Sequence, residues 1–65
     1  MRYHILKQEN GEVKKWFTDI PTLDLARESL AALAIYEKSN DNKVNVYQWM
    51  VRVNHDKVVY SIAEG

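Results

Sequence analysis

Tyr3-His4-Ile5-Leu6-Lys7-Gln8-Glu9-Asn10-Gly11-Glu12-Val13-Lys14-Lys15-Trp16-Phe17 reads as two extended segments joined at Asn10-Gly11. Both turn residues tolerate the positive φ angles of a type I′ turn, whose twist matches that of flanking strands, so the pair is a strong hairpin signal. Strands are expected over about residues 2–8 and 13–19. Pro21 then removes a ladder donor and ends extended pairing. Thr22 can cap a helix beginning at Leu23 by accepting from the free amides of its first turn, and Asp24 suits the positive end of the helix dipole.

Beyond this hairpin, Leu23, Ala26, Leu30, Leu33, Ala34 and Glu37 recur at helical spacing, and all but the last are apolar. One helix over about residues 23–38 follows, ended by Lys38 near its negative pole and by the polar loop Ser39-Asn40-Asp41-Asn42. Val44 to Val53 reads as one long strand containing Tyr47 and Trp49. Asn54-His55-Asp56-Lys57 interrupts it, and residues 57–63 form the returning strand. The expected fold is α+β: a single domain over residues 1–65 with two β-hairpins flanking one helix (ββαββ), the helix packed on one face of an antiparallel sheet.

Composition restricts the function. A chain of 65 residues buries only roughly 60% of its unfolded surface, yet 46% of its residues are hydrophobic, so apolar packing or self-association must supply the stability. There is no Cys, and two isolated His residues do not make a metal site; no metal and no cofactor are expected. Nine basic residues balance nine acidic ones, which gives no overall field to attract nucleic acid or an anionic membrane. Neither a signal-peptide core nor a transmembrane run is visible, and a soluble, cytoplasmic protein is the expectation.

Registers convert the strands into faces. A two-residue turn at His55-Asp56 sets Val53 opposite Val58, Val51 opposite Tyr60 and Trp49 opposite Ile62, on the side that seats the helix. Val46, Gln48, Met50 and Arg52 then face the other way with Val59, Ser61 and Ala63. In the first hairpin a two-residue turn pairs Ile5 with Trp16 and puts the like charges Lys7 and Lys14 opposite each other; His4, Leu6, Val13 and Phe17 then share the far side. A three-residue turn pairs Ile5 with Phe17 and sends Trp16 outward instead. Either way one large aromatic and Leu6 are expected on an uncovered face. Leu25, Ala31, Ala32, Ile35 and Tyr36 also widen the helix's apolar stripe beyond one sheet contact. Such surplus apolar surface points to a protein partner or a homodimer.

Chemistry-bearing motifs are absent: there is no Gly-rich phosphate loop, no metal-spaced cluster and no nucleophile elbow, so no catalytic residue is expected and the chain reads as a non-enzyme. His55-Asp56 reads as a polar turn, not an oriented imidazole. Asp24, Arg27, Glu28, Glu37 and Lys38 read as a solvated charge mixture on the helix. The protein-binding candidates are His4, Leu6, Phe17, Val46, Met50, Arg52 and Val59. The alternative reading is a single-stranded nucleic-acid binder in which Trp16 stacks on bases while Lys14, Lys15 and Arg52 hold phosphates.

The segment Thr22-Leu23-Asp24-Leu25-Ala26-Arg27-Glu28, following a hairpin, resembles the strand-to-helix passage of small phage-encoded inhibitors of host enzymes. It is also distantly similar to HicB-type antitoxins, from which it departs in lacking a Gly-rich motif and a third strand before the helix. Both resemblances imply a binding protein, an inhibitor or regulator of a host protein of the phage or mobile-element type.

Overall fold

Asn10 and Gly11 adopt φ of 54° and 78°, the left-handed pair that a tight hairpin turn needs, and they join β1 (Tyr3–Glu9) to β2 (Glu12–Ile20). The structure is a computed structural model that describes residues 2–65. After Pro21 comes α1 (Leu23–Ser39), with Thr22 at its N-cap in extended conformation; its Oγ1 accepts from the Leu25 amide at 3.2 Å. Three strands follow: β3 (Val44–Val46), β4 (Met50–Val53) and β5 (Val58–Glu64).

All five strands form one antiparallel sheet in the order β2-β1-β5-β4-β3, and α1 packs across one face of it. The fold is α+β, as the residue pattern predicts. The two chain-terminal strands β1 and β5 pair at the centre over seven residues, Tyr3 with Glu64 through Glu9 with Val58. Ile5, Val51, Val53, Tyr60 and Ile62 from the sheet meet Ala26, Leu30, Leu33 and Ala34 from the helix in the core.

The expected single strand over residues 44–53 is instead a hairpin. Tyr47 N–H donates to the Met50 carbonyl at 2.8 Å, and the chain turns at Gln48-Trp49 so that Val46 pairs with Val51. Reversal at the turn changes which residues share a face: Val46 joins the buried Val51 on the helix side and does not accompany Met50 and Arg52. The final hairpin keeps its expected register, with Val53 opposite Val58 and Val51 opposite Tyr60. Trp49 also meets Ile62, whose amide donates to its carbonyl at 3.0 Å, but the ring sits at the turn and remains 39% exposed.

Both readings of the first hairpin describe part of it. Near the turn the two-residue register holds, with Glu9 opposite Glu12 and Lys7 opposite Lys14. Leu6 then pairs with Lys15 but Ile5 with Phe17, so Trp16 is an extra residue; a second shift follows before Tyr3 meets Ile20. Asp19 takes φ of 56° at this second irregularity. The result removes the expected aromatic from the uncovered face. Trp16 lies on the helix side under Lys7, and the register sets Phe17 beside the core residue Ile5.

Candidate functional site

The face away from α1 is assembled from the residues that alternate with the core. Ser61 on β5 is its centre: Leu6 of β1 pairs with it from one side and Met50 of β4 from the other, while Val59 and Ala63 lie two residues away along the same strand and face. Leu6, Met50, Val59 and Ala63 are all half-buried. Together they form an apolar patch across the three central strands around a small hydroxyl. Among the described residues no helix covers it, because the one helix there lies on the opposite face.

The rim of this patch is basic. Lys15 pairs with Leu6 at the β2 side, and Arg52 pairs with Val59 at the β4 side. Arg52 is held by Asp56 at 3.4 Å, four residues on, and its guanidinium lies 5.6 Å from the Tyr47 ring centroid. His4 occupies the same face opposite Ala63, but its ring is engaged: Nδ1 accepts from the Asp19 amide at 3.4 Å. Its other edge lies against Gly65, where any Cβ would collide with the imidazole.

Of the protein-binding candidates, His4, Leu6, Met50, Arg52 and Val59 therefore share one face. Phe17 and Val46 do not, for the two reasons given by the β2 irregularity and the Gln48-Trp49 turn. The nucleic-acid candidates divide as well. Lys15 and Arg52 are on the uncovered face, whereas Lys14 and Trp16 are on the helix side. The Trp16 ring already carries Lys7 Nζ at 4.4 Å from its centroid.

A polar network lies at the other end of the helix. Tyr60 hydroxyl donates to Glu37 Oε1 at 3.4 Å, Asn42 Nδ2 to Glu37 Oε2 at 3.1 Å, Asn54 Nδ2 to Asn42 Oδ1 at 2.9 Å, and Lys43 N–H to Asn54 Oδ1 at 3.0 Å. Burial, with the Glu37 charge and its hydrogen bond in support, pushes the Tyr60 hydroxyl up to about 12. Glu37 is buried, not solvated, and the sequence did carry a signal of this: it occupies a position of the helix's core stripe. Arg27 is likewise half-covered, with its guanidinium 5.9 Å from the Trp49 ring. This network ties α1 to the β3 entry and the β4–β5 turn, which is structural work.

Among the described residues no group of three or more His, Asp or Glu side chains is placed to hold a metal ion, and no helix is long and apolar enough to cross a membrane. Clefts of about 310 and 370 Å³ flank Lys7 and Trp16, but each is crossed by mixed charges, Glu9, Glu12 and Lys14 in one and Glu37 in the other. Comparison with protein-family models, curated proteins and solved structures gives no match.

Proposed function

We propose that this chain is a small non-enzymatic protein-interaction module that binds its partner through the uncovered sheet face. The observation that supports the reading is the apolar patch Leu6, Met50, Val59 and Ala63, laid over three central strands with no element among the described residues to cover it. Apolar surface of this kind, gathered on one face and rimmed by charge, is how soluble domains present an interaction site. Lys15 and Arg52 at opposite margins favour a partner whose apolar contact is flanked by acidic groups. A rigid sheet presents these side chains with little ordering cost on binding, a fit for an inhibitor or regulator acting by occupancy. A soluble location such as the cytoplasm and self-association belong to the same proposal.

Met50 is the residue to test. Met50→Glu puts a charge at the middle of the patch, on the side of the sheet away from the core. Proteins crosslinked by the wild-type chain in lysate should be lost with Met50→Glu and retained with Trp16→Ala, which alters the opposite side. The reading fails if Met50→Glu captures the same proteins. It fails equally if single-stranded oligonucleotides at low salt quench the Trp emission and Lys15→Ala with Arg52→Ala abolishes that response, the behaviour of a nucleic-acid binder.

A further inference from the structure

The two edges of the sheet are built differently. Edge strand β2 carries Lys14 and Lys15, is broken by two register shifts and places Asp19 in the left-handed region. Charges and irregularities of this kind prevent another strand from pairing with an edge. Edge strand β3, Val44-Asn45-Val46, is short, but it carries no charge between Lys43 and Tyr47 and keeps an unbroken register with β4. Apolar exposure gathers beside it: Val46 is 62% and Ile35 is 70% exposed. Val44, Val46, Ala31, Ala34, Ile35 and Lys38 line a groove of about 260 Å³ between strand and helix.

We infer that β3 is a self-pairing edge, through which two copies of the chain join by antiparallel pairing about a two-fold axis at Asn45. This rests on the self-association in the proposed function but uses a surface distinct from the sheet face. The backbone alternation sets the geometry. Asn54 N–H donates to the Lys43 carbonyl and Tyr47 N–H to the Met50 carbonyl, both at 2.8 Å, so the odd-numbered residues here direct their polar groups at β4. Val44 and Val46 therefore direct theirs at the open edge. A two-fold axis at Asn45 sets Val44 opposite Val46 of the second copy, and Val46 opposite its Val44. These are the positions whose free N–H and C=O groups can be exchanged.

The side chains match in the same register because Val-Asn-Val reads identically in both directions. On the helix side Val44 and Val46 meet their copies, and Ile35 and Ala31 close over them across the axis. On the other side Asn45 faces its own copy, where two primary amides can hydrogen-bond. Lys43 comes opposite Tyr47 of the second copy at the two ends of the paired segment, outside the Val-Asn-Val match. What favours a second copy over an unrelated strand is the self-matching register, in which each Val44 finds a Val46 and each Asn45 its own copy. A short strand and one helical stripe make a small interface, of the kind that associates reversibly. The dimer's sheet is continuous through both copies, and it displays two uncovered faces side by side.

Sedimentation velocity across a micromolar concentration series tests this on the purified chain, without any partner. Wild type and Met50→Glu should both shift from monomer to dimer as concentration rises. Ile35→Glu and Val46→Pro should remain monomeric with unchanged circular dichroism; Pro is tolerated at Val46 because the N–H it removes points away from β4. Should Val46→Pro fail to fold, Ile35→Glu decides alone, since Ile35 is too exposed for the fold to need it. A wild-type chain monomeric throughout overturns the inference, as does a dimer that survives Ile35→Glu and a foldable Val46→Pro. A dimer lost in Met50→Glu also overturns it, by moving the contact to the sheet face. Failure of the sheet-face reading shows instead as unchanged partner capture by Met50→Glu.

Discussion

Tyr60 is where a single side chain sets a measurable property of the fold. Its ring is buried in the core and its hydroxyl donates to Glu37, so the folded chain holds the proton more tightly than the unfolded chain does. A raised folded-state value stabilises the protonated form, so the contribution is complete below the ordinary tyrosine value near 10 and is lost as pH rises through about 12. Urea unfolding between these limits should show stability falling with pH more steeply in wild type than in Tyr60→Phe. Equal slopes would mean that the hydroxyl is not held as described. Lys7 is instructive in another way. It does oppose Lys14, as the hairpin register requires, but its ammonium turns to Glu9 at 3.8 Å and over the Trp16 ring at 4.4 Å. The like-charge pair visible in the sequence is thus relieved by Glu9, two residues along the same strand and face, and by Trp16, the extra residue in β2.

At the scale of elements, α1 and the hairpin turns are local structures, and local residues specify them. Thr22, Asp24 and Lys38 stand where the helix needs a cap and charges, and the helix begins at Leu23 as expected. Thr22→Ala should lower the unfolding free energy by about 1 kcal/mol with little change in the denaturant slope. A loss near zero would show that the Leu25 amide is satisfied by water alone. Val44–Val53 is the element that sequence reasoning misjudged. Its β-branched and aromatic residues suit a strand throughout, and Gln48-Trp49 lacks the Gly or Asn that marks a tight turn. The chain nevertheless reverses there. A continuous strand would direct Val44 and Val46 away from the helix, whereas reversal sets Val44 against the core and leaves Val46 exposed on the same side.

For the whole molecule, the partition into a covered and an uncovered face makes adjacent residues behave oppositely. Val51 is fully buried under α1, and Met50 beside it faces outward. A domain of this length has about 3–10 kcal/mol of stability, and an unpaired buried carboxylate consumes most of it. Val51→Glu should therefore lack a cooperative thermal transition, while Met50→Glu should melt cooperatively near wild type. Reversal of that order would invert the face assignment. The α+β class, the helix, the turn at Asn10-Gly11 and the register of the last hairpin were legible in the sequence, because each depends on residues close together in the chain. So was the shared face of five of the seven candidates: His4, Leu6, Met50, Arg52 and Val59 were grouped by alternation within strands. Phe17 and Val46 were not, since a bulge or a turn changes the facing of every residue beyond it, and neither carried a local signal. The strand order with β1 and β5 at the centre, the burial of Glu37 and the contrast between a guarded and an open edge were decided only by the tertiary structure. Pairing between distant strands is chosen by how the whole apolar surface can be covered by one helix, a condition that no short stretch of residues contains.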